Sequence, residues 1–157
     1  MKFLALSSFA ILALASPLQP FEASRKIRAA ADSCREVTVL FARGTFEPPP
    51  LGIICGPPTG SALKKAIGNN KVTVKGVDYP AAVENNFLPG GCSPEDVKTM
   101  QDAISQILTT CPDTKLVVGG YSQGAALTAS ALGSLSEEKK NKIAAAFLYG
   151  DTQYKQV

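Results

Sequence analysis

Ser122 stands in Gly120-Tyr121-Ser122-Gln123-Gly124, between the apolar run 115–119 and an alanine- and leucine-rich stretch at 123–132. A serine flanked by glycines at a strand-to-helix junction is suited to nucleophilic attack on a carbonyl carbon. The reason is steric. The turn is so sharp that the serine takes strained backbone angles and presents its hydroxyl above the sheet. Side chains at the flanking positions would collide with neighbouring strand and helix atoms, so Gly120 and Gly124 carry none. The N–H of Gln123 then faces the place where a tetrahedral oxyanion forms. A pentapeptide of this kind also occurs as a plain turn; the strand before it and the helix after it favour the nucleophile. The chain has no histidine, so the base that normally takes such a serine's proton is absent from these 157 residues.

The elements around the motif follow from its neighbours. Residues 35–41 read as a strand leaving into a loop at Ala42-Arg43-Gly44-Thr45. Glu47-Pro48-Pro49-Pro50 fits neither a helix interior nor a central strand. Residues 59–67 read as a helix ended by Gly68, and 72–77 as a second strand. Ser93-Pro94-Glu95-Asp96 is a helix start, with a serine cap, proline in the first turn and acids at the positive end of the dipole. Val97, Met100, Ile104, Ile107 and Leu108 recur at helical spacing to about Thr110, so they are core. Cys111-Pro112 ends that helix. Ser136-Glu137-Glu138 starts a short helix, and residues 143–149 form a fourth strand. Strands alternating with helices predict an α/β fold in three layers: a mostly parallel sheet with helices on both faces. Ligands on such sheets bind beyond the carboxyl ends of the strands. Thr45 and Ser122 both belong at that edge.

Composition bounds the rest. Apolar residues make up 45% and charged residues 18%, enough for one domain with a real core. A net charge of +3 with scattered lysines and arginines gives nucleic-acid binding no support. Residues 1–15 read as a secretory signal, with Lys2, a short apolar run and Ala13-Leu14-Ala15 at the cleavage end. Residues 16–31 read as a tail or short propeptide, and 32–157 as the domain. No other segment approaches membrane-spanning length. A secreted, extracellular, monomeric protein without cofactor or membrane partner is expected. Secretion permits disulfides; Cys34, Cys55, Cys92 and Cys111 allow three pairings. None of them has metal-ligand spacing, so no metal is expected.

Four segments taken in order resemble fungal cutinases: Phe41-Ala42-Arg43-Gly44-Thr45-Phe46-Glu47-Pro48, Gly76-Val77-Asp78-Tyr79-Pro80, Asn86-Phe87-Leu88-Pro89 and Gly119-Gly120-Tyr121-Ser122-Gln123-Gly124-Ala125-Ala126. The resemblance runs from about Cys34 to the last residue and implies an α/β-hydrolase fold. It implies Ser122 as nucleophile, Gln123 and Thr45 as oxyanion donors, and Asn86 as the residue orienting the Thr45 hydroxyl. It pairs Cys34 with Cys111 and leaves Cys55 with Cys92 as a second bridge joining two loops near the site. The implied substrates are cutin, a plant polyester, and short-chain esters.

The same resemblance places the triad acid in a Gly-Asp-x-Val-Cys segment and the histidine later still. Neither is present, so the last strand and C-terminal region are expected to be missing and the chain, as written, nearly inactive. Asp151 follows a strand on the correct edge, but the resemblance assigns it to a non-catalytic turn. Lys155 is a poor base because an exposed lysine stays protonated at neutral pH. The rival readings are an acetylxylan esterase, and a non-catalytic secreted surface-binding protein or effector.

Overall fold

The computed structural model describes residues 34–154. The signal sequence and tail expected before Cys34, and Lys155, lie outside the described residues. Four strands, β1 (Val37–Ala42), β2 (Val72–Gly76), β3 (Lys115–Tyr121) and β4 (Ile143–Tyr149), form one sheet in the order β2-β1-β3-β4. Every pairing is parallel. The helices are α1 (Gly56–Ile67), α2 (Pro94–Thr110), α3 (Gln123–Gly133) and the short α4 (Glu137–Lys140).

Alternation along the strands sorts the core into two layers. Leu40, Ala42, Leu116 and Val118 face one side, where they pack with Met100, Ile104 and Ile107 of α2 and Leu127 and Ala131 of α3. Val37, Val39 and Val72 face the other side, with Leu63 of α1 and Phe147 of β4. Each such large apolar side chain, once buried, contributes roughly 1.5–3 kcal/mol. The chain therefore leaves β1 over one face through α1, then crosses to the other face and passes β1 to reach β3. The direction of winding reverses between β1 and β3, which opens a crevice at their carboxyl ends.

Several boundaries differ from the sequence pattern. Helix α1 starts at Gly56, ahead of the expected Thr59, because Pro57 and Pro58 suit a first turn, where no intrahelical N–H is needed. Strand β2 stops at Gly76, where a Cβ would lie 2.1 Å from the Pro50 carbonyl oxygen. Two 3-10 segments, Val83–Phe87 and Pro89–Gly91, precede α2. Helix α2 begins with a full capping box: Asp96 N–H donates to Ser93 Oγ (3.1 Å) and Ser93 N–H to Asp96 Oδ2 (3.2 Å).

Cys34 and Cys111 are bridged, with Cα atoms 5.6 Å apart. The second expected bridge does not form: Cys55 and Cys92 are free thiols. The sheet stands between them. Cys55 caps α1, whose next residue, Gly56, lies against Phe41. Cys92 is buried among the α2 and α3 side chains on the opposite face. Bridged cysteines need Cα atoms within about 7 Å, which a helix-covered sheet cannot allow across its thickness. Burial raises the pKa of both thiols, with the Glu47 carboxylate adding to the effect at Cys55 and the Asp96 carboxylate at Cys92.

Strand β4 lies at the end of the strand order. Ala144, Ala145 and Ala146 are exposed, and Leu148 and Tyr149 are each 41% exposed. Its main anchor is Phe147, which stacks on Phe41 at 6.0 Å and fills the space over Gly119. Among the described residues no helix is long and apolar enough to cross a membrane, and no cluster of metal-binding side chains occurs.

Candidate active site

Ser122 sits at the tip of β3 with φ 54° and ψ −120°. A non-glycine residue rarely takes this conformation, and the strain costs on the order of 1–3 kcal/mol. Four backbone hydrogen bonds and two close approaches hold it. Ser122 N–H donates to the Tyr149 carbonyl of β4 (2.9 Å), and its own carbonyl accepts from Ala125 (2.9 Å) and Ala126 (3.2 Å). Val77 N–H donates to Phe41 (2.9 Å), fixing the neighbouring tip of β1. A Cβ on Gly120 would lie 2.1 Å from the Gly124 oxygen, and one on Gly124 would lie 2.1 Å from the Ala42 oxygen and 2.4 Å from that of Arg43. The sequence reading of both glycines as steric necessities is thus a matter of backbone against backbone. Gly124→Ala is expected to lower unfolding free energy by about 3 kcal/mol, read as a shift of the urea midpoint; a loss below about 0.5 kcal/mol would show that α3 is not pinned against β1.

The Ser122 side chain is partly exposed and does not cap α3. As the first helical residue, Gln123 has an N–H with no acceptor in its own helix. Its side chain is fully buried and bridges two loops: Nε2 donates to the Ala82 carbonyl (2.8 Å), and Oε1 accepts from Thr45 Oγ1 (2.9 Å). Asn86 Nδ2 donates to Thr45 Oγ1 (2.9 Å) and to the Val83 carbonyl (3.1 Å). The structure therefore brings together Ser122, Gln123, Thr45 and Asn86 from three separated stretches of chain. The Thr45 hydroxyl has one proton, and it is donated to Gln123. That proton is therefore not free for a ligand, whereas the Gln123 N–H is not used within its own helix.

Asp151 is drawn elsewhere. Its carboxylate accepts from Gln153 N–H (2.9 Å), and its carbonyl from Tyr154 N–H (3.3 Å), so it builds the turn after β4.

One participant was not singled out as a functional residue in the sequence. The Glu47 carboxylate is 8% exposed. Its Oε2 accepts from Gly44 N–H (2.7 Å), and its Oε1 from Ile53 (2.9 Å) and Ile54 (2.8 Å). Burial pushes its pKa up, but these three N–H groups and the Arg43 charge outweigh that and hold it below the ordinary carboxylate value. Arg43 Nε in turn donates to the Glu47 carbonyl (2.8 Å), and its guanidinium lies over the Tyr79 ring at 5.2 Å. The Tyr79 hydroxyl donates to the Arg43 carbonyl. Burial raises the Tyr79 pKa, so the phenol keeps its proton. Nothing local to Glu47 in the sequence signals this, because its donors are backbone N–H groups and two of them, Ile53 and Ile54, lie beyond three prolines.

The rim of the crevice is apolar. Phe46, next to Thr45, is 84% exposed, and Phe87, next to Asn86, is 85% exposed. Val83 and Leu88 are also exposed.

Comparison with known proteins agrees with this geometry. The cutinase family model matches residues 33–157. A cutinase of Botryotinia fuckeliana is 49% identical over 121 residues, covering 77% of this chain and 59% of that protein. The chain thus spans less than two thirds of that relative's length. The structure of a Trichoderma reesei cutinase in complex with a phosphonate inhibitor superposes with a TM-score of 0.72 at 35% identity, covering 88% of this chain and 71% of that one. An acetylxylan esterase superposes with a TM-score of 0.60 at 27% identity, over 76% of this chain and 64% of that one. A parallel sheet with a strained serine at the β1/β3 crevice, matched along the whole described length by a single family model, places this chain in the cutinase family.

Proposed function

We propose that this chain carries the nucleophile and oxyanion half of a secreted serine carboxylic ester hydrolase acting on apolar esters, cutin polyester among them. The observation that carries the reading is Ser122, strained and partly exposed at the tip of β3, beside the Thr45–Gln123–Asn86 cluster. In the reaction, Ser122 Oγ gives its proton to water as it attacks the ester carbonyl, and the N–H groups of Thr45 and Gln123 receive the negative charge. The C–O bond to the alcohol then breaks with that proton returned to the leaving alkoxide, and a second water cleaves the acyl group as the acid and restores the Ser122 hydroxyl. No histidine occurs among the 157 residues, so turnover by these residues alone is slow.

The acetylxylan esterase reading shares the fold and the serine. The exposed phenyl rings of Phe46 and Phe87 favour an apolar ester over an acetylated polysaccharide. A purely surface-binding protein would have no reason to keep a strained serine and buried Gln123 in register.

A fluorophosphonate tests the assignment. Ser122 Oγ forms a bond to phosphorus, the P–F bond breaks, and the serine proton goes to water. Peptide mass spectrometry is expected to find the adduct on Ser122 and on no other serine. Adducts scattered over several serines would end the esterase reading, and no adduct would support a binding role or a fragment that lacks its base. Thr45→Val provides a second check: it leaves the buried Gln123 Oε1 without its donor and Asn86 Nδ2 with only the Val83 carbonyl, costing roughly 1–3 kcal/mol of stability. It is expected to slow the residual hydrolysis of p-nitrophenyl butyrate by about 10²-fold, while Thr45→Ser retains it.

A further inference from the structure

We infer that Glu47 is the positioning residue for the Thr45 side of this site, its carboxylate holding the 44–54 turn so that Thr45 meets Gln123 and Asn86. The inference rests on reading Thr45 as an oxyanion donor. Three N–H groups converge on the carboxylate, one from Gly44 directly before Thr45, and two from Ile53 and Ile54 at the far end of the turn. The carboxylate therefore closes the turn from inside. The turn's own backbone bonds, Glu47 N–H to the Gly44 carbonyl (3.3 Å) and Gly52 N–H to the Pro48 carbonyl (2.9 Å), do not join its two ends; the carboxylate supplies the acceptor that the Gly44, Ile53 and Ile54 N–H groups share.

The residue types fit this one role. A carboxylate accepts on both oxygens; the glutamine amide would turn two donor hydrogens toward an N–H. Aspartate is one methylene short of a span that already uses the full side chain. Gly52 has φ +71°, and a Cβ there would lie 2.4 Å from the Glu47 carboxyl, so a side chain at that position would break the closure. A solvated surface acid is excluded by the 8% exposure. The link onward is covalent on one side and hydrogen-bonded on the other: Gly44 precedes Thr45, and Thr45 Oγ1 is fixed at 2.9 Å by each of two amide side chains.

The titratable and charged groups facing Glu47 are Arg43 from the end of β1, Cys55 at the start of α1 and Tyr79 beyond β2. Cys55 and Tyr79 both have raised pKa values, so in acid Glu47 alone of these changes charge. Its pKa is depressed in the folded state. The clamp is thus present at and above the ordinary carboxylate range and is lost as pH falls through the lower folded value.

The test uses nitrogen-15 spectra and residual p-nitrophenyl butyrate hydrolysis of the 157-residue chain, comparing the wild type, Glu47→Gln, Thr45→Val and the double variant. In Glu47→Gln the Gly44, Thr45, Ile53 and Ile54 amide signals and the Asn86 side-chain signals are expected to move together. Hydrolysis is expected to fall about 10²-fold in kcat with KM unchanged, the scale of a displacement of about 1 Å. On the Thr45→Val background the same change is expected to cost nothing further. Unmoved Thr45 and Asn86 signals, or an equal loss in both backgrounds, would overturn the inference. If Glu47→Gln does not fold, an acid titration of the wild type decides. Gly44, Ile53, Ile54 and Asn86 signals must then share one midpoint below the usual carboxylate value, and an unmoved Asn86 overturns the inference. A wild type with no hydrolysis above buffer removes the esterase reading, while the coupling of the signals is judged separately.

Discussion

Hydrolysis of p-nitrophenyl butyrate by the 157-residue chain is expected to run on the order of 10⁶ below that of the Botryotinia fuckeliana relative, yet about 10³ to 10⁴ above water. The deficit is that of a serine without a base to take its proton. The remainder is what oxyanion stabilisation and binding provide by themselves. A second expectation separates these two parts. Groups that act as a unit are not additive, so once the base is absent Ser122→Ala should change the residual rate by only about threefold. Thr45→Val should lower it about a hundredfold: it keeps the residue-45 N–H but removes the hydroxyl whose bonds to Gln123 and Asn86 hold that N–H in place, a displacement on the order of 1 Å, and the N–H donors act on any attacking oxygen, water included. Steady-state rates of the variants, each checked for folding by circular dichroism, measure this. A large loss in Ser122→Ala would mean that some other group among these residues serves as base, and Asp151 would return to consideration despite its place in the turn after β4.

The second large effect is on stability. Opening the Cys34–Cys111 bridge by Cys34→Ala with Cys111→Ala is expected to lower the unfolding free energy by about 4 to 5 kcal/mol. The bridge closes a loop of sequence separation 77, and loop-closure entropy of that size removes a comparable freedom from the unfolded chain. For a domain whose total stability is typically about 5–15 kcal/mol, this is a large share. The region it ties is also stitched by Thr114, whose Oγ1 donates to the Arg35 carbonyl (2.7 Å) and lies 2.9 Å from Thr38 Oγ1, so the native geometry persists while the unfolded state expands. Urea unfolding of the bridged and variant proteins gives the difference. A change under about 1 kcal/mol would show that the unfolded chain is already constrained there by other means.

What could be read from the sequence divides along physical lines. The β3–Ser122–α3 unit was legible because each part has a local cause: β-branched residues before, glycines where backbones touch, alanine and leucine after. The start of α2 was legible for the same reason, since its capping box uses residues three apart. Helix α1 was placed too late because prolines look like breakers until their position in a first turn is known. The pairing of Cys55 with Cys92 failed on a non-local fact: sequence does not say which face of a sheet a loop will cover. The Glu47 clamp was invisible for a related reason. Its donors are backbone N–H groups, which every residue but proline has, so no side-chain pattern marks them. The place of Thr45 at the sheet edge followed from the strand pattern, while its role and Asn86 entered through resemblance; the structure adds the bond from the Thr45 hydroxyl to Gln123 Oε1.

The bond from Ser122 N–H to Tyr149 ties the proposed nucleophile to the strand with the most exposed side chains. Local opening free energies are lowest where few apolar atoms are covered. Fraying of β4 would free the Ser122 amide while β1, β3 and the bridge remain formed. Warming or mild denaturant would then extinguish the chemistry before the global transition begins, and the amide proton of Ser122 would exchange with deuterium on the timescale of that sub-global event, faster than those of Leu40 or Val118 in the interior.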